Sequence, residues 1–217
     1  MQAPKRETRQ PSLRIGVDFD NTIVCYDRLF HRAAVDRALI PVTLPMDKES
    51  VRNYLRQQGR QDQWTELQGL VYGQRINEAE SFPGVAAFFL ECRRQEIPVF
   101  VVSHKTQWPV LGPRVDLHQA ARGWLKSHRF HDDTEIELPT DRVFFAETKQ
   151  GKMQQIRDLR CTHFIDDLPE FLLEPGFPDG VERILFDPWN RYAGEGSLTR
   201  VPDWQTVRRQ LLTRYSP

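Results

Sequence analysis

Asp18 and Asp20 with Thr22 close behind, then Ser103, then Lys152, then the pair Asp166 and Asp167 stand in an order that phosphoryl chemistry can use. Hydrolysing a phosphate monoester through a covalent intermediate needs an ionised oxygen nucleophile, an acid for the leaving alkoxide and cations that balance the phosphoryl oxygens. Asp18 and Asp20 can divide the first two tasks. Side chains two apart on an extended strand point the same way, and where the strand gives way to a loop the second can swing over the leaving group. A carboxylate beside a phosphate dianion is repelled unless a divalent cation lies between them, and Asp18 with Asp166 or Asp167 supplies the hard oxygen ligands that Mg²⁺ takes. Ser103 can donate a hydrogen bond to one phosphoryl oxygen, while Lys152 can neutralise another and damp the repulsion among the aspartates. Singly, each residue has a plainer reading: adjacent carboxylates closing a strand are usually solvated or capping a helix, and a lysine is usually a surface charge. Their shared place at strand ends and helix starts is what makes the set informative.

The elements that must position them are apolar runs that stop at polar residues. Leu13–Asp20 reads as a buried strand ending in acid, and Ile97–Ser103, Arg142–Ala146, Thr162–Asp167 and Arg183–Asp187 resemble it. Several are continuously apolar, which suits strands covered on both faces of a parallel sheet. Helical stripes alternate with them: Val85, Phe88, Phe89 and Cys92; Leu117, Ala120, Ala121, Trp124 and Leu125 behind Asp116 as a cap; and Met153, Ile156 and Leu159. The alternation predicts a doubly wound, Rossmann-like α/β domain of three layers around a central parallel sheet, with ligands at the carboxyl ends of the strands.

Between the first two strand signals lie about 75 residues with no convincing strand, too many for one crossover. Residues 27–82 are therefore expected to form a small helical cap inserted into a core made of 13–26 and 83–217. Val51, Tyr54 and Leu55 run up to Gly59, and Trp64, Leu67, Leu70 and Val71 up to Gly73, at helical spacing. A second connection, 105–141, carries Pro109, Gly112, Pro113 and Pro139 around its own helix and is expected over the same end of the sheet. The Gly/Pro-rich stretch Glu174–Pro202 reads as irregular surface structure before a last helix with Trp204, Val207 and Leu211. Residues 1–12 read as a polar tail rather than a secretory signal.

The 217 residues are 39% hydrophobic and 28% charged, with 30 Lys plus Arg against 30 Asp plus Glu. That balance leaves no global field to concentrate polyanions, so nucleic acid is an unlikely ligand class. Three cysteines without C-x-x-C spacing argue against a disulfide framework and for a reducing, cytoplasmic setting. No apolar run approaches the ~20 residues of a membrane span. Oligomeric state is left open.

Val17-Asp-Phe-Asp-Asn-Thr22, Val101-Val-Ser103, Lys152 and Phe164-Ile-Asp-Asp167 together resemble the four ordered motifs of the haloacid dehalogenase superfamily of phosphohydrolases, which work through an aspartyl phosphate. The resemblance spans residues 17 to 167. It implies Asp18 as nucleophile and magnesium ligand, and Asp20 as general acid and base whose backbone carbonyl also touches the metal. It further implies a phosphate-contacting set of Phe19, Thr22, Ser103, His104 and Lys152, and completion of the metal site by Asp166 and Asp167, with Asp167 favoured as the direct ligand. The insert between the first two motifs resembles caps that close over small substrates. Dehalogenases proper generally lack the second aspartate of the first motif, so Asp20 points to phosphate rather than halide. Asn21 replaces the glycine common after that aspartate.

The expectation is a Mg²⁺-dependent phosphatase acting on a small phosphorylated metabolite such as a nucleotide or sugar phosphate. A phosphotransferase of the same fold and a silent phosphate-ligand binding protein are the alternatives. A metal-binding D-x-D glycosyltransferase would leave Ser103, Lys152 and Asp166-Asp167 unexplained. Lys149, one turn before Lys152, competes for its role. His104 and Lys105 follow Ser103 and either line the crevice or shape the loop. His131-Asp132-Asp133 reads as a solvated loop rather than a metal site, and Cys25 as a packed thiol. Trp64, Tyr72, Gln74 and Arg75 are candidates to meet the rest of the substrate, with helix packing the simpler account of the aromatics.

Overall fold

The computed structural model describes residues 12–132, 134–194 and 196–213. Its centre is a six-stranded, all-parallel sheet. In chain order the strands are β1 (Ile15–Val17), β4 (Val99–His104), β5 (Val143–Ala146), β6 (His163–Asp166), β7 (Glu182–Phe186) and β8 (Thr199–Val201), and across the sheet they run β5-β4-β1-β6-β7-β8. A two-stranded antiparallel ribbon, β2 (Val24–Cys25) with β3 (Glu80–Ser81), lies apart from it.

Alternate strand residues feed two separate cores, the signature of a sheet covered on both faces. Ile15, Val17, Val99, Val101, Ile165, Ile184 and Phe186 pack on one side with α4 (Val85–Arg94), α5 (Leu117–Ser127) and α8 (Trp204–Leu212). Phe100, Val102, Phe164 and Leu185 pack on the other with α6 (Lys149–Asp158) and α7 (Pro169–Leu172). Fully burying such a side chain is worth about 1.5–3 kcal/mol, so the two cores together supply the drive for folding. Gly16 is needed where the second core presses on β1: a Cβ there would lie 2.5 Å from Phe164 Cδ2 and 3.1 Å from Cys161 Sγ.

The helices begin where side-chain oxygens satisfy free backbone N–H groups. Asp116 accepts from Gln119 N at 2.9 Å at the head of α5, and Thr148 accepts from Gly151 N at 3.0 Å at the head of α6. Between β2 and β3 the chain forms α1 (Asp27–Asp36), α2 (Lys48–Gln57), capped by Asp47 onto Ser50 N, and α3 (Gln61–Gly69). A π-helical turn (Leu70–Gln74) and a 3₁₀ turn (Ile76–Glu78) follow. Phe30, Val51, Leu55, Trp64, Leu67 and Val71 of this segment join the same apolar cluster as Val17 and Trp124, so the insert shares its core with one face of the sheet.

Three expectations need correction. The first strand is shorter than Leu13–Asp20, because the ladder to β4 and β6 covers only Ile15–Val17 before the chain turns away. The connection after it does contain strand: β2 and β3 close the insert at its base, too short to register as a pattern. The stretch Glu174–Pro202 holds, besides the strand expected at Arg183–Asp187 and found as β7, an edge strand β8 that the sequence did not show. The expected tail falls, apart from Ser12, outside the described residues. No helix among the described residues is long and apolar enough to cross a membrane.

Candidate active site

β1 lies between β4 and β6, so the residues that follow their carboxyl ends meet at one crevice. Asp18 leaves β1 with its N–H bonded to the Ile165 carbonyl at 2.9 Å, which places it beside the end of β6. From α6, Lys152 reaches between the two strand ends: its Nζ donates to Asp18 Oδ1 at 2.5 Å and to Asp166 Oδ2 at 2.6 Å. All three residues are buried. Asp166 is further tied by its other oxygen, which accepts from Leu168 N at 3.0 Å. Half-buried Asp167 accepts no hydrogen bond among the described residues, yet one of its oxygens lies within 4.8 Å of one from each of Asp18 and Asp166.

Asp20 is held from two directions. Lys105 Nζ lies 2.8 Å from Oδ2 and 3.1 Å from Oδ1, and Tyr26 Oη donates to Oδ1 at 2.7 Å. The turn that makes this possible passes through Asn21 at φ 56°. That left-handed conformation is one that asparagine, like aspartate and glycine, adopts more readily than most residues, so Asn21 suits the turn. The Thr22 carbonyl then accepts from Trp204 Nε1 at 3.0 Å, pinning the turn to α8.

Two buried hydroxyls are without a partner among the described residues: Ser103 Oγ at the end of β4 and Thr22 Oγ1, both fully enclosed. A buried, unpaired hydroxyl is costly, and these two suit a ligand that brings oxygen acceptors.

The other sequence candidates are distributed as follows. Lys149 points outward to Glu174 at 3.0 Å. The His104 ring is exposed and lies 3.1 Å from the Glu147 carbonyl, so it is not part of the buried cluster. The Phe19 ring packs edge-on against Trp124 and Phe145, so what Phe19 can offer a phosphate is its backbone. Trp64 stacks on Phe30, and Arg75 pairs with Asp36 and Glu78; both serve the insert itself. Gln74 is exposed. Asp132 caps its own loop at Thr134 and pairs with Arg129, while Asp133 lies outside the described residues. Burial raises the Cys25 thiol, as expected of a packed cysteine.

Tyr26 and Lys48 escaped the sequence reading. Lys48 opens α2 and lies with Asp167 on the wall of one pocket. Its Nζ and that of Lys105 stand over the Tyr72 ring at 5.7 and 4.7 Å from the centroid. Burial alone would lower the Lys48 pKa, but Tyr72 and the carboxylates of Asp167 and Asp20 outweigh it, and the ammonium is stabilised. Nothing in the pattern KESVRNYLRQ distinguishes this lysine from a solvated one.

The charges do not balance. Burial raises the Asp18 pKa to about 7, and the neighbouring Asp166 and Asp20 charges add to the rise against the pull of Lys152. Asp167 is raised well above the ordinary carboxylate range by burial and by Asp166 and Asp18. The donor set is all hard oxygen, with one oxygen each from Asp18, Asp166 and Asp167 gathered closely, and this fits Mg²⁺. A carboxylate whose pKa is higher folded than unfolded stabilises the fold in its protonated form. For Asp18 that stability is whole below its ordinary value of 3.8 and is lost as pH climbs through about 7. Thermal unfolding in EDTA is therefore expected to show a Tm that falls over this interval. Saturating Mg²⁺, at 100 times its Kd, restores about 2.7 kcal/mol, or roughly 5–10 °C, at pH 8, and distinctly less at pH 5, where protons compete. A Mg²⁺ effect independent of pH would contradict this.

The fold is shared with solved hydrolases. A HAD-superfamily hydrolase from Ehrlichia chaffeensis aligns over 91% of this chain and 94% of its own, with TM-score 0.56 and 11% identity. A haloacid dehalogenase-like family hydrolase from Xanthomonas campestris aligns over 96% and 95%, with TM-score 0.56 and 14% identity. A family IA HAD hydrolase from Entamoeba histolytica aligns over 89% and 94%, with TM-score 0.56 and 10% identity. The chain has the haloacid dehalogenase fold. No protein-family model matches it, and no curated protein matches it in sequence. At such identities the haloacid dehalogenase likeness is one of architecture, and the chemistry must be argued from the side chains.

Proposed function

We propose that this protein is a Mg²⁺-dependent phosphatase that hydrolyses a small phosphorylated metabolite through an aspartyl phosphate on Asp18. The observation that carries the reading is the convergence of Asp18, Lys152, Asp166 and Asp167, together with two enclosed hydroxyls, Ser103 and Thr22, that have no partner among the described residues. Asp18 and Asp167 would hold the metal, with Asp166 holding Lys152 and supporting them. When bound, Mg²⁺ supplies the positive charge against which Asp18 stays ionised and the phosphoryl oxygens are balanced.

In the first half of the reaction an Asp18 carboxylate oxygen attacks phosphorus and the bond to the leaving oxygen breaks. That oxygen takes the proton carried by Asp20, so an aspartyl phosphate and a free alcohol result. In the second half the Asp20 carboxylate accepts a proton from water as the water oxygen attacks the same phosphorus. The bond to Asp18 breaks and inorganic phosphate leaves. Lys105 and Tyr26 fix the Asp20 carboxyl for both transfers, and Lys152, Ser103 and Thr22 meet the phosphoryl oxygens. Residues 27–82 act as a cap that limits the site to compact substrates, and the three unbridged cysteines fit a reducing compartment.

A second reading comes from the fold neighbours, one of which is described as a dehalogenase. Asp20 speaks against it, since a carboxyl held over the nucleophile serves proton transfer to an alkoxide, which halide departure does not need. The test is phosphate release from p-nitrophenyl phosphate with Mg²⁺, expected to drop roughly 100-fold or more in EDTA. Undiminished release in EDTA, or chloride release from 2-chloropropionate in its place, would refute the proposal. New phosphoesters on added alcohols would identify a phosphotransferase instead.

A further inference from the structure

A pocket of about 110 Å³ opens beside Asp167, bounded by Lys48 and Arg52 of α2 and by Trp189, Arg191 and Tyr192 of the loop after β7. It is well below the roughly 300–1,000 Å³ of sites that take drug-sized ligands, so its occupant is compact.

Apart from Asp167, its acidic wall is already committed to the protein's own hydrogen bonds and ion pairs. Asp27 Oδ1 accepts from the Lys48 backbone N–H at 3.0 Å. Asp187 accepts from the backbone N–H groups of Arg191 and Tyr192 at 2.8 and 3.0 Å and pairs with Arg200 at 3.2 Å. Glu49 is shared by two guanidinium groups, Arg52 at 2.9 Å and Arg191 at 3.2 Å. Lys48 forms no ion pair among the described residues; its ammonium stands over the rings of Phe30 and Tyr72, 5.7 Å from each centroid. Tyr72 and, at longer range, the carboxylates of Asp167 and Asp20 keep this ammonium charged, but no carboxylate pairs with it directly. An anionic group in the pocket can therefore reach Lys48 without displacing a partner, and Arg52, one helical turn from Lys48 on the same face of α2, lines the same space.

Granting the phosphatase chemistry proposed above, on which this depends, we infer that the substrate is a compact phosphomonoester whose alcohol portion carries a carboxylate, received by Lys48 with Arg52 beside it. The phosphoryl group lies against Asp18 and the carboxylate lies a few atoms away in this pocket. Lys48 is then a specificity-determining residue contributed by the insert. Asp167 lines the same pocket, which joins it to the candidate metal cluster of Asp18, Asp166 and Asp167.

3-Phosphoglycerate and glycerol 3-phosphate are a matched pair of probes that differ in this carboxylate. Their binding is measured calorimetrically with Mg²⁺ on Asp18→Asn, which prevents turnover, and on Asp18→Asn/Lys48→Met. 3-Phosphoglycerate is expected to bind at least about tenfold more tightly than glycerol 3-phosphate, and the preference to collapse towards unity without Lys48. A structural role for Lys48 would weaken both probes alike and leave their ratio unchanged. Equal affinities in the parent, binding of neither probe, or a preference that survives Lys48→Met would each overturn the inference. Release of phosphate from p-nitrophenyl phosphate by the wild-type protein is scored separately. If it occurs without the binding preference, the carboxylate site falls and the phosphatase stands; if the preference appears without phosphate release, the reverse holds.

Discussion

Asp18→Asn lowers phosphate release from p-nitrophenyl phosphate by about 10⁴-fold or more, the scale on which loss of a nucleophile is felt. The amide keeps the size of the carboxyl and can still accept from Lys152, but it has no ionised oxygen with which to attack phosphorus. The loss falls on kcat rather than on KM, and rapid acid quenching traps phosphorylated chain in the wild type and none in the variant. Stability moves the other way. Asp18 is one of several buried carboxylates whose mutual repulsion and desolvation raise its pKa, so removing its charge relieves the cluster in the metal-free protein. In EDTA at pH 8 the variant unfolds at the wild-type Tm or above it. A variant that keeps activity within tenfold of wild type would remove Asp18 from the mechanism.

Lys152→Met is the opposite case, damaging both activity and stability. The lysine is the ion-pair partner of both Asp18 and Asp166, and all three are buried, so its removal strands two carboxylates away from water. Breaking a buried pair in this way costs about 3–5 kcal/mol, or roughly 10 °C in Tm for a chain of this size. Phosphate release falls by roughly 100-fold or more with the loss of a phosphoryl-balancing cation. Acidification recovers part of the lost Tm, because a protonated carboxyl needs no counter-charge. Lys149→Met provides the control: its pair with Glu174 is only half-buried and open to solvent, and such a surface pair is worth about 1 kcal/mol. If the two variants were equally harmed, the burial argument for Lys152 would fail.

Those two lysines also show what a linear sequence can and cannot reveal. Both lie in the first turns of α6, and residues three apart are neighbours on a helix. The Thr148 cap sets where the helix starts, and with it the rotation that buries Lys152 beside Met153 and Ile156 and leaves Lys149 outside. The layered α/β fold was legible because buried parallel strands such as Val99–His104 are apolar on both faces, a pattern that needs no partner to be recognised. β2, β3 and β8 carry no such pattern: they are two or three residues long, and the first two residues of β8 are exposed. The aspartates, Ser103 and Lys152 could be ordered along the chain because each follows its strand or opens its helix. Tyr26 and Lys48 could not: Tyr26 reaches Asp20 only because the chain turns back on itself between them, and Lys48 meets the pocket beside Asp167 only because the insert packs there, a matter of contact between distant segments.

β1 leaves the ribosome before any other strand of the sheet, yet both of its neighbours are encoded far downstream, at Val99–His104 and His163–Asp166. The nascent chain must carry Ile15–Val17 unpaired until β4 has been made, and with one edge still open until β6 follows, the insert having already emerged with most of the sheet still missing. Such long-range pairing is slow and leaves sticky surface in the open. Competence for catalysis should therefore arise in one late event, when β6 slots in beside β1 and brings Asp166 and Asp167 to an aspartate translated about 150 residues earlier. Premature stops before that point would yield aggregating fragments rather than partially active ones.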